Sequence, residues 1–113
     1  MKRFYLALDL KDDPKLIEEY ERYHLRVWPE VLASIRQAGI RSMKIFRVEN
    51  RLFMIMETDD LFSFDKKSDL DQSNPKAMEW EKLMWNYQQA LPGSKPGEKW
   101  RLMNKIFDLN EPV

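Results

Sequence analysis

The chain has 113 residues, enough for one domain with a single core but not for two. Nineteen basic residues balance 19 acidic ones, so a formal charge of zero argues against nucleic-acid or membrane binding by bulk electrostatics. With no cysteine and one histidine, the sequence excludes disulfides, thiol nucleophiles and most metal sites.

The N-terminal segment predicts a strand. Phe4, Leu6, Leu8 and Leu10 alternate with less apolar residues, and this period of two is typical of a strand with one apolar face. The segment MKRFYLALDLKDD contains no apolar run long enough for a signal peptide or a membrane span, so we expect a cytoplasmic protein.

Two helices are predicted next. Asp13-Pro14 supplies an N-cap followed by a proline in the first turn. Apolar and aromatic side chains then share one face of a helix that ends near His24. These side chains are Leu16, Ile17, Tyr20 and His24. Pro29 holds Trp28 extended and opens a second helix, which stops at Gly39.

Residues 40–58 have the pattern of a β-hairpin. Strands are predicted at Ile40 to Val48 and at Arg51 to Thr58, joined by a tight turn at Glu49-Asn50, since Asn tolerates positive φ. Leu52 to Met56 is apolar at successive positions, which predicts a strand in the interior of the sheet.

The second half of the chain predicts helices and a final strand. Phe62 to Leu70 is either a short helix or a loop with helical turns. Asn74-Pro75 starts a longer helix whose apolar positions extend to Leu91. A Pro- and Gly-rich loop follows, and Trp100 to Leu109 alternates well enough to predict the last strand.

This order of strand, helices, two strands, helices and strand matches a split βαβ arrangement. It predicts an α+β ferredoxin-like plait of the dimeric α/β-barrel type, as one domain over residues 1–113. The antiparallel sheet would have its helices on one face only. A second copy of the chain is the simplest cover for the bare face, so we expect a homodimer.

Tyr20 and His24 are the first candidates for chemistry. They are four residues apart on a predicted helix, so their side chains are neighbours that point the same way. A histidine can give or take a proton near neutral pH. The alternative is that His24 only caps the C-terminus of its helix, where a cation is favoured, and spacing alone favours this alternative.

The tryptophans are the second candidates, because aromatic faces bind the C–H faces of sugars. Core packing is the better interpretation for Trp28 and Trp100. Trp80 and Trp85 lie about 140° apart around their helix, so at most one faces a pocket squarely. Four acidic residues could assist in proton transfer, although solvent exposure is the usual state of such residues: Glu57, Asp59, Glu79 and Glu81.

The segment EEYERYH at 18–24, followed by VWPE at 27–30, resembles the first helix of the L-rhamnose mutarotase family. The resemblance extends over nearly the whole chain and includes the Gly39 stop, a Trp-bearing helix ending at Leu91-Pro92 and a closing Ile106-Phe107 segment. It implies a cofactor-free, metal-free dimer with a ferredoxin-like fold. Such a protein interconverts the α and β anomers of a 6-deoxy sugar, a monosaccharide substrate.

The resemblance also implies roles for individual residues. His24 matches the proton donor and Tyr20 a substrate-binding tyrosine. The family's Trp-Trp pair falls at Trp80 and Glu81, and an offset alignment makes Trp85 a further candidate. Another substrate tyrosine of the family falls at Met43. These departures weaken the expectation of L-rhamnose as the substrate and leave open a branch that acts on L-fucose or another 6-deoxy hexose.

Two other functions remain open from the sequence. A non-catalytic dimeric ferredoxin-like module would keep an aromatic ligand pocket but would need no proton donor. A cofactor-free, monooxygenase-like member of the dimeric α/β-barrel group would share the fold and often a pocket histidine. Anomer exchange, sugar binding without exchange, and oxygen consumption with an aromatic substrate distinguish the three.

Overall fold

The computed structural model describes residues 1–111 and contains the three long strands that the sequence predicts. They are β1 (Lys2–Leu10), β2 (Ile40–Val48) and β3 (Arg51–Thr58), and they pair antiparallel in the order β2-β3-β1. The strand β3 is interior, as its continuous apolar run indicates. The positive φ of the hairpin turn lies at Glu49 (51°) and not at Asn50, whose amide instead donates to the Leu10 carbonyl.

The fourth position of the sheet is filled by two short strands, β4 (Gln88–Gln89) and β5 (Arg101–Leu102), which both pair with β1. The predicted strand from Trp100 to Leu109 is wrong beyond Leu102. After one more hydrogen bond to β1 at Met103, the chain leaves the sheet, and Ile106 is 93% exposed. Apolar alternation in this segment therefore does not reflect burial.

Four helices connect the strands: α1 (Pro14–Tyr23), α2 (Pro29–Gln37), α3 (Phe64–Gln72) and α4 (Pro75–Trp85). The predicted starts at Asp13-Pro14 and Asn74-Pro75 are confirmed, since both cap side chains accept backbone N–H groups. The extension of α4 to Leu91 is wrong. Lys11 donates its N–H to the Tyr87 carbonyl at 2.8 Å, which draws the chain beside β1 instead.

The helices cover one face of the sheet, as predicted. Leu6, Leu8 and Leu10 of β1 and the alternate residues of β3 face the helices and are buried. The opposite face carries apolar side chains in register across the strands, including Tyr5, Phe46 and Phe53. This arrangement is the ferredoxin-like plait expected from the sequence, with an open sheet in the single chain.

Single-domain organisation over 1–113 stays a prediction, and residues 112–113 lie outside the described part. Within residues 1–111, no helix combines the length and apolar composition needed to cross a membrane.

Candidate active site

A cavity of about 590 Å³ lies between the helices and the covered face of the sheet. This volume falls in the range of small-molecule sites, about 300–1,000 Å³. Side chains from all four helices and from β1 to β4 line the cavity. Five of the six residues to which the family resemblance assigns a role line it: Tyr20, His24, Met43, Trp80 and Glu81.

The imidazole of His24 has a defined tautomer. His24 is the C-cap residue of α1, and its Nδ1 lies 2.8 Å from the backbone carbonyl oxygen of Tyr20. A carbonyl oxygen only accepts, so Nδ1 carries the proton in this bond. Nε2 is then the nitrogen available for proton exchange in the cavity. His24 is therefore both the C-cap of its helix and a residue of the cavity.

Tyr20 is 3% exposed and lies next to His24, with the two ring centroids 4.4 Å apart. Its phenol oxygen accepts a hydrogen bond of 3.3 Å from the Gln88 side-chain amide. Burial raises the pKa of the Tyr20 phenol; the Gln88 hydrogen bond opposes this effect, and the negative charge of Glu81 adds to it. The side chain of Tyr20 is therefore a neutral phenol near neutral pH.

The structure separates the two tryptophan candidates. Trp80 is buried, with its ring centroid 5.7 Å from that of His24 in an edge-on arrangement, and it lines the cavity. Trp85 is 38% exposed, lies under the Lys99 ammonium at 5.0 Å and does not line the cavity. The same Lys99 forms an ion pair of 2.7 Å with Glu81 at the cavity wall.

Met43 belongs to an apolar wall on the sheet. It pairs with Met56 in the β2–β3 register, and Ile45 pairs with Met54, so these four side chains project to the same face. All four line the cavity. A wall of thioether and aliphatic groups is a favourable neighbour for a methyl group and a poor one for a hydroxyl.

The structure adds polar cavity residues that the sequence did not single out. Gln88 was missed because the helix was expected to continue through it. Ser34 and Lys67 both bind Asp71, at 3.3 Å and 2.6 Å, and form a polar group between α2 and α3. The sequence around these three residues contains no motif that predicts a polar group in a cavity. Among residues 1–111, no group of three or more His, Asp or Glu side chains is placed to hold a metal ion.

The chain thus combines a ferredoxin-like fold with one cavity that is lined by the imidazole of His24, the phenol of Tyr20 and the indole of Trp80. The model of the L-rhamnose mutarotase family matches residues 3–109. The chain therefore belongs to the L-rhamnose mutarotase family, a family of isomerases, which confirms the resemblance seen in its sequence.

Individual relatives agree with this assignment. The chain is similar to the L-fucose mutarotase of Xanthomonas campestris, with 49% identity over the whole chain and 92% of the relative. It is 29% identical to the L-rhamnose mutarotase of Paraburkholderia phytofirmans, covering 93% of this chain and 94% of that one. The crystal structure of an L-rhamnose mutarotase from Formosa agariphila superposes with a TM-score of 0.69, at 19% identity, over 96% of this chain and 99% of that one. This last likeness confirms the fold.

Proposed function

We propose that the protein interconverts the α and β anomers of a 6-deoxy hexose, with L-fucose as its preferred substrate. The observation that carries the proposal is the geometry of His24. Its Nδ1 is held by the Tyr20 carbonyl, so Nε2 is available in a cavity of a size suited to a small ligand. The 49% identity with an L-fucose mutarotase supports the choice of sugar.

The proposed mechanism is acid–base catalysis of ring opening. The protonated His24 delivers its Nε2 proton to the ring oxygen while Glu81 accepts the proton of the anomeric hydroxyl. The bond between C1 and the ring oxygen breaks, the aldehyde turns about C1–C2, and the reverse proton transfers close the ring on the other face. Two observations support this role: Glu81 lines the cavity, and its ion pair of 2.7 Å with Lys99 holds the carboxylate at the cavity wall.

The other cavity residues would hold the sugar. The neutral Tyr20 phenol donates to a sugar oxygen, and Trp80 packs against ring C–H groups. The wall that contains Met43 lies against the C6 methyl group. This wall and Glu81 replace a tyrosine and a tryptophan that the family resemblance leads us to expect, which supports a sugar other than L-rhamnose. By this geometry Trp85 has no contact with the substrate.

Saturation-transfer NMR on L-fucose and L-rhamnose tests the proposal. We expect faster anomer exchange on L-fucose, and a loss of about 10²–10⁴-fold in the His24→Ala variant, because general acid–base groups contribute that much. Leu25→Ala, at the adjacent and 82% exposed residue, is the matched control and should exchange like wild type. A folded His24→Ala protein with the wild-type rate on both sugars would contradict the role of His24.

We further propose that the working form is a homodimer joined through the bare sheet face. That face presents Tyr5 and Phe46, which are 39% and 53% exposed in the single chain. Apolar surface of this kind is stabilised by a partner. We also propose a cytoplasmic location, as the sequence leads us to expect.

A further inference from the structure

Gln88 is a buried amide in an apolar environment. It is the first residue of β4, its backbone pairs with Leu10 of β1, and it is 7% exposed. A buried amide without hydrogen bonds destabilises a protein. Gln88 also lines the cavity that contains His24, so its position serves the site as well as the sheet.

The partner of Gln88 is the phenol of Tyr20. The amide nitrogen of Gln88 lies 3.3 Å from the phenol oxygen, and this hydrogen bond joins residues that are 68 positions apart in the chain. A phenol has one hydrogen to donate, and its oxygen can accept. Among residues 1–111, no acceptor receives the Tyr20 O–H, so this hydrogen is free to point into the cavity beside His24.

We propose that Gln88 is a positioning residue for anomer exchange, an inference that rests on the proposed function. Its amide N–H makes the Tyr20 oxygen an acceptor and thereby reserves the Tyr20 O–H as a donor to the sugar. Gln88 acts through Tyr20 and does not transfer a proton itself. The hydrogen bond also fixes the phenol oxygen relative to Nε2 of His24.

A double-mutant cycle tests whether Gln88 acts through Tyr20. Gln88→Leu and Tyr20→Phe should each lower kcat/KM for L-fucose by about tenfold, the value of a well-placed hydrogen bond. The double variant should be no slower than Tyr20→Phe alone, because only one interaction is lost. Losses that multiply would overturn the proposal. Gln89→Leu, at the exposed neighbour in the same strand, should match wild type.

Gln88→Glu tests the direction of the hydrogen bond while keeping the shape of the side chain. A carboxylate only accepts, so it takes the Tyr20 O–H away from the sugar. At about pH 8 we expect a loss in kcat at least as large as that of Gln88→Leu. As the pH falls the carboxyl group becomes protonated and can donate, so the rate relative to wild type should recover.

The other titratable or charged groups that line the cavity are Tyr20, His24, Arg36, Arg41, Lys67, Asp71 and Glu81. They are present in wild type too, so the ratio of variant to wild type at each pH removes their effect. The combined variant Gln88→Glu with Tyr20→Phe should show no recovery. A Gln88→Glu protein with the wild-type rate at about pH 8 would overturn the proposal. Absence of exchange by wild type would instead contradict the proposed function.

Discussion

Tyr87 is buried and packs against Tyr20 but does not line the cavity. Its ring centroid lies 6.3 Å from the ring centroid of Tyr20 and 5.8 Å from that of Tyr23. Burial, together with Glu19 and Tyr23, raises the pKa of its phenol to about 12. The phenol is therefore kept neutral by its surroundings.

This raised pKa predicts a loss of stability in alkali. A tyrosine in the unfolded chain loses its proton near pH 10, whereas Tyr87 in the folded chain keeps it to about pH 12. The unfolded state then binds fewer protons, so the free energy of unfolding falls as the pH rises between these two values. Tyr87→Phe should show a smaller fall in urea titrations at several alkaline pH values.

The matched control for this effect is Tyr5→Phe, which removes a phenol that is 39% exposed on the bare sheet face. It should keep most of the alkaline fall seen in wild type. Equal pH dependence in Tyr87→Phe and wild type would show that burial of Tyr87 does not govern alkaline unfolding.

At the scale of elements, local patterns predicted much of the fold. The bounds of β2 and β3 follow from apolar runs flanking a turn, and two helix starts follow from the caps Asp13 and Asn74. The strand β4 could not be predicted this way. Two glutamines carry no strand signal, and the strand forms because Lys11 and Leu10 of a distant segment supply its hydrogen-bonding partners.

The same limit applies to the site. The spacing of Tyr20 and His24 on one helix identified a pair that shares a face, since helical geometry is local. Gln88 joins Tyr20 only through tertiary structure, so no spacing rule finds it. The exposure of Trp85 likewise depends on which side of α4 packs against the rest of the molecule. The angle of about 140° between Trp80 and Trp85 around the helix shows that they face different directions, but it does not show which of them is buried.

The junction between α2 and β2 depends on Gly39, which has φ of +95°. An added Cβ would lie 2.7 Å from a carboxylate oxygen of Asp59, and that carboxylate also accepts the Leu61 N–H. Gly39→Ala should therefore destabilise the protein by ~2–4 kcal/mol, combining backbone strain with overpacking. Chemical denaturation with a fluorescence readout of the tryptophans measures this.

Gly93→Ala is the control for Gly39→Ala. It shares a positive φ (+81°), but an added Cβ there meets no atom within 4 Å. It should lose only ~1–2 kcal/mol, the cost of the left-handed backbone. Equal losses in the two variants would show that the contact with Asp59 contributes nothing.

At the scale of the whole molecule, the bare sheet face predicts the state of association. Phe46 is 53% exposed and stands opposite Phe53 in the β2–β3 register. A charge placed there would oppose burial against a second sheet. We expect wild type to sediment with twice the mass of one chain, and Phe46→Glu to shift towards a single chain.

Met78→Glu provides the comparison, because Met78 is 48% exposed on α4, away from the sheet. It introduces the same charge and should not change the sedimenting mass. A single-chain mass for wild type, or equal shifts in both variants, would contradict association through this face.

The edge of the sheet is divided into β4 and β5, and this division affects where the sequence can tolerate insertions and deletions. The first piece carries Gln88, which lines the cavity, whereas the second, Arg101–Leu102, only completes the edge of the sheet. Between them runs a turn-rich loop with two glycines at positive φ, Gly93 and Gly97. Insertions and deletions between these two glycines would alter neither Gln88 nor Lys99, the partner of Glu81, so we expect this short part of the loop to vary over evolution, or to accept a grafted peptide.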